Sequence, residues 1–184
     1  MRESLRFESG VTSGECAEPL CAICAKGIKM KKIVDVCCGP KMMWFDKNDE
    51  RVLFLDKRKE NHKTNFTNIK YDDETFNLVV FDPPHIVQNS EKGQIIKQYG
   101  RLIPGEWKQT IQKGFSECFR ILKSNGVLIF KWNECRIPVK EILELTSEKP
   151  LFGHKSGKHL NTHWICFMKE PQQTDGANST QQRL

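Results

Sequence analysis

The stretch Leu78-Val-Val-Phe-Asp-Pro-Pro-His85 begins as an apolar run of strand type and ends on an acid, two prolines and an aromatic ring. An apolar run of this kind predicts a strand buried in a parallel sheet. Pro83 and Pro84 fix their own φ angles and favour extended geometry in the residue before them. The sequence therefore predicts a stiff loop that presents the carboxylate of Asp82 beside the flat ring of His85. A strand that ends in a tight turn with a surface histidine is the alternative that this tetrapeptide leaves open.

Two shorter apolar runs upstream also carry acids at their ends. Residues 33–36 contain Asp35, and residues 51–55 are followed by Asp56. Asp56 comes about 20 residues after Asp35, which is the spacing at which nucleotide-binding α/β units place a carboxylate on ribose hydroxyls. Because the carboxyl ends of parallel strands line the ligand crevice, these two acids and Asp82 are predicted to converge at one edge of an open sheet.

An acceptor loop beside a flat ring suits chemistry at the exocyclic amino group of a nucleobase. The lone pair of that nitrogen is delocalised into the base, and acceptors for its two N–H bonds help to localise it. The Asp82 carboxylate and the Pro83 carbonyl would be these acceptors, while His85 would stack on a base turned out of its helix. The residues thus predict group transfer to an amino nitrogen.

The order of these motifs resembles that of the class I S-adenosylmethionine-dependent methyltransferases, and within them the amino-methyltransferases of nucleic acids, whose motif is Asp/Asn-Pro-Pro-aromatic. Residues 35–46, 82–85 and 130–134 look like the corresponding stretches of a compact group of phage and prophage-associated methyltransferases. The resemblance spans about residues 30–169. It implies a Rossmann-like, doubly wound, mostly parallel α/β sheet with an antiparallel last strand, and S-adenosyl-L-methionine as the cofactor.

The same resemblance implies which residues bind the cofactor. Asp35, Cys37 and Gly39 would surround its methionine part, and Asp56 would hold its ribose. The family turn has glycine at alternate positions, whereas Cys37 and Lys41 stand at two of those sites here. A small cysteine still allows close approach of a ligand, and a buried structural cysteine is the alternative.

The adenine side of the cofactor site is shorter than in the family pattern. Asn65 and Phe66 stand where the adenine-contacting pair often lies, ahead of the Asp82 strand. The segment between Asp56 and that strand, residues 57–75, is rich in Lys, Asn and Asp and has little room for a full helix and strand. We therefore expect a short or irregular helix there.

The remaining elements follow from apolar periodicity and breaker residues. Residues 86–107 form a long connection with basic and aromatic residues, which predicts a lid or a reading loop. A helix with an apolar stripe is predicted over 107–122, a strand over 127–132, a short helix over 137–145 and a final strand over 162–168.

The acceptor side of the site combines the predicted loop with later residues. Lys131 and Asn133 end the strand that is expected beside the Asp82 loop, so they are predicted to contact the substrate. Lys155 and Lys158 lie in a basic, glycine-containing hairpin tip and are predicted phosphate contacts, with a solvated turn as the alternative. The predicted catalytic residues, which would face the methyl acceptor, are Asp82, Pro83, Pro84 and His85.

Composition favours one globular domain with two tails. The chain has 184 residues, 38% of them apolar, and a net charge of +6. The domain is predicted over 30–169, with an N-terminal extension over 1–29 and a disordered tail over 170–184. No stretch has the length of a membrane span or the apolar core of a signal peptide, which predicts a cytoplasmic protein.

The eight cysteines allow two other interpretations. A disulfide framework is disfavoured, because Cys37, Cys38, Cys118, Cys135 and Cys166 lie in segments of α/β type where small buried thiols are expected. Three N-terminal cysteines have a C-x4-C-x2-C spacing, which raises the alternative of a zinc-stabilised module. A fourth ligand is missing, and no metal site is predicted.

The sequence thus predicts an S-adenosylmethionine-dependent methyltransferase that acts on adenine N6 in DNA. A basic balance suits a polyanionic substrate and gives weak support to a nucleic-acid partner, with DNA preferred and RNA possible. The alternatives are an RNA or small-molecule N-methyltransferase, and a non-catalytic nucleic-acid-binding protein with the same fold. Oligomeric state and recognition sequence are not predicted.

Overall fold

The structure is a computed structural model that describes residues 31–58 and 63–171. The predicted N-terminal extension over 1–29 lies outside the described residues, as does the predicted tail apart from its first two residues.

The described residues form six strands and three helices around one sheet. The strand order is β2-β1-β3-β4-β6-β5, in which β1 to β4 are mutually parallel and β6 runs antiparallel to both of its neighbours. This confirms the predicted mostly parallel α/β sheet with an antiparallel last strand. The elements are β1 (Ile33–Asp35), β2 (Val52–Phe54), β3 (Phe76–Phe81), α1 (Gln94–Tyr99), α2 (Trp107–Ile121), β4 (Leu122–Asn133), α3 (Val139–Leu143), β5 (Phe152–Ser156) and β6 (Thr162–Met168).

Helix α2 covers the central strands with the predicted apolar stripe, in which Ile111, Phe115, Cys118 and Phe119 are buried. The ring of Phe115 is the centre of an aromatic cluster. Its centroid lies 5.6 Å from that of Phe81 on β3, 4.8 Å from Phe130 on β4 and 6.1 Å from Phe167 on β6. Burying each such ring contributes about 2–3 kcal/mol, so this cluster fixes the three strands against one helix.

Strand β4 begins five residues earlier than predicted, at Leu122 instead of 127. Helix α2 ends at Ile121, and Leu122 already pairs with Phe76 of β3. The residues between the predicted helix and strand, 123–126, form a bulge inside the strand, where Asn125 takes a φ of 61° and its N–H donates to Lys169 O at 2.8 Å. Pairing on both sides of the bulge therefore replaces the predicted loop.

The described parts of the connection between β2 and β3 are residues 55–58 and 63–75, and neither contains a helix. The longer part, 63–75, consists of turns with one bridge between Asn65 and Asn68. Helix α2 holds it in place: Arg120 donates to Ile69 O at 2.9 Å, and the Ile69 N–H donates to Glu117 Oε2 at 2.6 Å. Backbone groups that a helix would have satisfied internally are thus satisfied by two side chains.

The predicted lid, residues 86–107, is more ordered than a loop. It contains α1 and a parallel bridge between Val87 and Leu102, and Leu102 is buried in the main core. Helix α1 ends just before Gly100, which has a φ of +84° and lies next to the Asp82 loop. A Cβ on Gly100 would lie 3.2 Å from Pro84 Cγ. Glycine is required at that close approach.

The other sequence predictions have mixed outcomes. The final strand is confirmed with the bounds of β6, and the helix predicted over 137–145 is the shorter α3. Cys38, Cys118 and Cys166 are buried and Cys37 is half-buried, but Cys135 is exposed, so the prediction of a buried thiol is wrong for Cys135. Cys135 follows the end of β4, where the chain leaves the sheet.

Among the described residues, no helix has both the length and the apolar character needed to cross a membrane.

Candidate active site

A cleft opens at the carboxyl edge of the sheet. It has a volume of about 330 Å³ and lies between the turn after β1, the loop after β3 and the helix α1. The same edge is where open α/β sheets bind ligands. The residues that line it are Cys37, Cys38, Gly39, Pro40, Met42, Met43, Arg58, Asp82, Pro83, Pro84, His85, Ile95, Tyr99 and Lys131.

A smaller pocket adjoins the cleft on the β2 side and shares four of its residues, Cys37, Arg58, Pro84 and Tyr99. Its other lining residues are Val36, Asp56, Lys57, Thr64 and Phe66. The structure thus brings all four predicted catalytic residues and Cys37 and Gly39 to one cleft, with Asp56 and Phe66 beside it.

Asp82 is held by a cation from the neighbouring strand. Lys131 Nζ lies 2.7 Å from Asp82 Oδ2, and the two side chains are 28% and 26% exposed. Within residues 31–58 and 63–171, Lys131 is the one donor to the Asp82 carboxylate. The ammonium also lies 5.4 Å from the centroid of the Trp164 ring. The carboxylate is therefore fixed at the cleft wall with acceptor capacity left for a ligand.

His85 is half-buried in the cleft lining, with its ring edge-on to Trp132 at a centroid distance of 6.4 Å. Burial lowers the pKa of His85; the charge of Asp82 opposes this and that of Lys131 adds to it. Since the lowered pKa favours the neutral imidazole at pH 7, the ring can stack on a neutral base without carrying a buried charge.

Cys37 packs between two acids at the base of the cleft. The pKa of its thiol is raised well above the ordinary value, first by burial and then by the charges of Asp35 and Asp82. A thiol with a raised pKa is a poor nucleophile. Cys37 therefore presents a small, neutral side chain to the cleft.

Asp35 supports the turn from behind. It is fully buried, and it accepts hydrogen bonds from Trp44 Nε1 at 2.8 Å and from the Cys37 N–H at 3.2 Å. It is not among the residues that line the cleft or the adjoining pocket. Its place is thus to shape the turn that presents Cys37 and Gly39, whose φ is +47°.

Asp56 is buried beside the small pocket and is fully engaged. Arg58 donates to it twice from the guanidinium, at 2.8 and 2.5 Å, and the Gly39 N–H donates at 3.0 Å. Burial alone would raise the pKa of Asp56, but the hydrogen bonds from Arg58 and Gly39 outweigh it, and the pKa is lowered. The carboxylate is therefore ionised and ties the β1 turn to the end of β2.

The predicted adenine pair separates in the structure. Phe66 is buried, lines the small pocket and lies 5.3 Å from the ring of Phe81. Asn65 is exposed, and its Oδ1 accepts from the Thr67 N–H at 3.2 Å. Phe66 thus forms a wall of the pocket, while Asn65 shapes the turn next to it.

Three predicted substrate residues lie outside the cleft lining. Asn133 Nδ2 donates to Thr162 Oγ1 at 3.0 Å and so joins β4 to β6. Lys155 Nζ lies 3.4 Å from Glu134 Oε1, and Lys158 is exposed in the turn between β5 and β6. Of the four predicted substrate residues, Lys131 alone is at the cleft.

Sequence reasoning missed Arg58, which lines the cleft and the small pocket together with Tyr99 of the predicted lid. Arg58 stands two residues after the ribose-type acid, which is the available signal for a local ion pair. Tyr99 is the last residue of α1, and Gly100 after it lies close to Pro84. The exposed Met42 and the half-buried Met43 of the β1 turn were also missed as cleft residues.

Comparison with known proteins bears on the fold. No protein-family model and no curated protein matches the sequence. The PH0226 protein from Pyrococcus horikoshii OT3 is a structural match with 14% identity, a TM-score of 0.53, and coverage of 77% of this chain and 83% of that chain. A TehB-like SAM-dependent methyltransferase from Corynebacterium glutamicum ATCC 13032 Kitasato matches with 15% identity, a TM-score of 0.52, and coverage of 80% and 85%. The chain therefore has the class I methyltransferase fold.

Proposed function

We propose that this chain transfers a methyl group from S-adenosylmethionine to an exocyclic amino nitrogen, with adenine N6 in DNA as the acceptor. One observation carries the proposal. The Asp82-Pro83-Pro84-His85 loop and the turn at Cys37 and Gly39 face the same cleft on a class I methyltransferase fold. An acceptor group and a cofactor group are expected to meet in such a crevice.

The residues of the small pocket fit the nucleoside part of the cofactor by their chemistry. Asp56 is a buried ionised carboxylate, which is the group that accepts hydrogen bonds from ribose hydroxyls. Phe66 and Val36 supply apolar walls for a purine ring. Arg58 has to release Asp56, at least in part, for a ribose to reach it.

The methionine part fits the turn after β1. Cys37 is small and neutral, and Gly39 has no side chain in the cleft wall. When bound, S-adenosylmethionine supplies an electrophilic sulfonium methyl group. The protein then has to align that group with the acceptor nitrogen and to exclude water.

The acceptor side does its work through Asp82 and its neighbours. The Asp82 carboxylate and the Pro83 carbonyl accept hydrogen bonds from the two N–H groups of the amino nitrogen, which localises the lone pair of that nitrogen. His85 stacks on the base, and its lowered pKa keeps the ring neutral. Asp82 need not be a strong base, because the proton on the methylated nitrogen becomes acidic and passes to the carboxylate or to water.

The choice of DNA rests on the motif and on the charge of +6. Backbone phosphates favour a basic protein, which supports a nucleic-acid acceptor in a general way. An RNA or a small amine would use the same cleft, and a chain that binds nucleic acid without chemistry would keep the same fold. These alternatives are separate outcomes of the experiment that follows.

The experiment is transfer of a tritium-labelled methyl group by the full chain to unmethylated DNA, to RNA and to free adenosine. We expect label in DNA as N6-methyladenine. Asp82→Ala should abolish transfer and leave cofactor affinity near normal, whereas Asp72→Ala, at an exposed turn position, should transfer at the normal rate. Activity that survives Asp82→Ala would refute the mechanism. Label found only in RNA, or only in adenosine, would show that this molecule and not DNA is the methyl acceptor.

A further inference from the structure

The cleft and the small pocket of the candidate active site meet at a junction of four residues. Cys37, Arg58, Pro84 and Tyr99 line both of them. In the proposed function the nucleoside of the cofactor occupies the small pocket and the methyl acceptor occupies the cleft. The sulfur of S-adenosylmethionine is bonded both to the nucleoside and to the methyl group, so it has to lie at this junction. The chemistry of the junction therefore decides what the sulfonium group meets.

The charged residues of the two linings are already engaged. The sulfonium carries a permanent positive charge, for which a carboxylate would be the simplest partner. Asp56 pairs with Arg58 at 2.5 Å, and Asp82 pairs with Lys131 at 2.7 Å. Lys57 adds another cation to the small pocket. Among the described residues of these linings, no acid is left without a cation, so a neutral group has to meet the sulfonium.

Tyr99 is the aromatic residue of the junction, and its ring is available. It is 41% exposed, and within residues 31–58 and 63–171 its side chain makes no hydrogen bond and no contact with another ring or with a cation. A Cβ on Gly39 would lie 3.8 Å from Tyr99 Cδ1, so the ring stands beside the turn that fits the methionine part of the cofactor. The face of an aromatic ring attracts cations through its quadrupole.

Helix α1 fixes the position of Tyr99. Ile96, one turn earlier, is buried, and its carbonyl accepts from the Gly100 N–H at 2.8 Å. The two ends of the segment that carries α1 are joined by an ion pair, in which Arg101 Nη2 lies 2.7 Å from Glu91 Oε1. The ring is therefore placed at the junction before a ligand enters.

We infer that the ring of Tyr99 contacts the sulfonium group of S-adenosylmethionine and makes the chain prefer this cofactor to its product, S-adenosylhomocysteine. The inference rests on the proposed function and deepens it. When the methyl group leaves, the electron pair of its bond stays on sulfur, and the sulfonium becomes a neutral thioether. The attraction between ring and cation then ends, which favours release of the product.

The test is titration calorimetry of the full chain with S-adenosylmethionine and, separately, with S-adenosylhomocysteine. Tyr99→Leu keeps an apolar side chain and removes the aromatic face. We expect its affinity for S-adenosylmethionine to fall about fivefold, which is the scale of a cation over an aromatic ring at a partly exposed site, and its affinity for S-adenosylhomocysteine to stay unchanged. Tyr99→Phe should bind both ligands as the unchanged protein does, because the ring is kept.

Gln98→Leu is the matched control. Gln98 precedes Tyr99 on α1, is exposed and lines neither the cleft nor the small pocket. This variant should bind both ligands normally. The affinity of Tyr99→Leu for S-adenosylhomocysteine also reports whether that variant is folded, since the product fills the same site without the charge.

Three results would overturn the inference. An unchanged affinity of Tyr99→Leu for S-adenosylmethionine would show that the ring does not contact the cofactor. An equal loss for both ligands would place the ring against a part that they share. The same selective loss in Gln98→Leu would assign the effect to the helix and not to the ring.

Calorimetry needs no methyl acceptor, so the inference can be separated from the proposed reaction. If Tyr99→Leu loses the preference but the unchanged protein methylates neither DNA, RNA nor adenosine, the proposed function fails and the contact of Tyr99 is retained. If methyl transfer occurs and Tyr99→Leu keeps the preference, the inference fails alone. If the folded, unchanged protein binds neither ligand, both are wrong.

Discussion

Lys131 Nζ lies 2.7 Å from Asp82 Oδ2, and the parallel register of two strands puts these atoms together. Phe81 of β3 is aligned with Phe130 of β4, so the residues that follow each of them meet at the carboxyl edge of the sheet. Each side chain is about a quarter exposed. The pair therefore orients the carboxylate while keeping it open to the cleft.

Lys131→Met tests this orientation, because methionine keeps the length of the stem and removes the charge. We expect the rate of methyl transfer to fall about tenfold, since Asp82 loses the donor that holds it, while cofactor affinity stays unchanged. Steady-state kinetics separate the two effects as a change in kcat without a change in the KM for cofactor. Lys149→Met, at an exposed position, is the control. An unchanged kcat would contradict the assigned part of Lys131.

Arg58→Ala tests the ion pair between Arg58 and Asp56, the carboxylate that is predicted to hold the ribose of the cofactor. The guanidinium is 30% exposed and Asp56 is 3% exposed, so Arg58 competes with a ribose for a buried carboxylate. We expect S-adenosylmethionine to bind up to about fivefold more tightly to the variant, which is the scale of a partly exposed ion pair.

The chain offers a matched control for that substitution. Arg51 pairs with Asp49, also two residues before it, but on an exposed surface away from the cleft. Titration calorimetry should show normal cofactor affinity for Arg51→Ala. Weaker cofactor binding by Arg58→Ala would mean that Arg58 contacts the ligand rather than competing with it.

The contacts of Glu134 predict that it stabilises the fold in a way that is lost in acid. His163 lies 2.8 Å from its Oε1, and this contact, followed by the Val139 N–H, lowers the pKa of Glu134 to about 2. A carboxyl whose pKa is lower in the native state stabilises the fold above its unfolded pKa, near 4.5, and loses that effect as the pH falls towards 2.

Urea unfolding of Glu134→Gln at pH 7, 5 and 3 measures this contribution. The difference in the free energy of unfolding between the unchanged protein and the variant should be largest at pH 7 and pH 5 and smaller at pH 3. For Glu50→Gln, at an exposed position, the difference in the free energy of unfolding from the unchanged protein should be the same at all three pH values. A difference for Glu134→Gln that does not depend on pH would refute the acid-sensitive contribution of Glu134.

Gly114→Ala tests the packing beneath the Asp82 loop. A Cβ at this position would lie 2.5 Å from Phe81 Cζ and 2.9 Å from Phe66 Cδ2, both too close. Overpacking costs about 1–3 kcal/mol, which should outweigh the gain of about 1 kcal/mol in helix propensity. We expect a lower midpoint in urea, whereas Ser116→Ala on the exposed face of α2 should be neutral or stabilising. A more stable Gly114→Ala would show that the rings give way.

Elements set by local pattern were predictable from the sequence. The apolar run before Asp82 is β3, and the stripe through Ile111 and Phe115 is the buried face of α2. Three acids at strand ends were expected at one edge because parallel strands share it. The edge is as expected, although Asp35 faces the interior behind the turn and only Asp56 and Asp82 reach the pockets.

Features set by tertiary contact were not predictable. The start of β4 at Leu122 depends on pairing with Phe76, which lies far away in sequence. Residues 123–126 fall between the predicted helix and strand, because the sequence does not show that Lys169 accepts a hydrogen bond from Asn125 there. The engagement of Asp56 by Arg58 is likewise a matter of side-chain geometry and not of spacing.

The measurement that tests the central claim most directly is titration calorimetry of the full chain with S-adenosylmethionine, for the unchanged protein, Asp56→Ala and Asp49→Ala. Asp49 is the control because it also pairs with an arginine two residues later but lies away from the cleft. We predict micromolar binding that Asp56→Ala abolishes and Asp49→Ala retains. No binding by the folded, unchanged protein, or equal binding by Asp56→Ala, would contradict a cofactor site at this edge of the sheet.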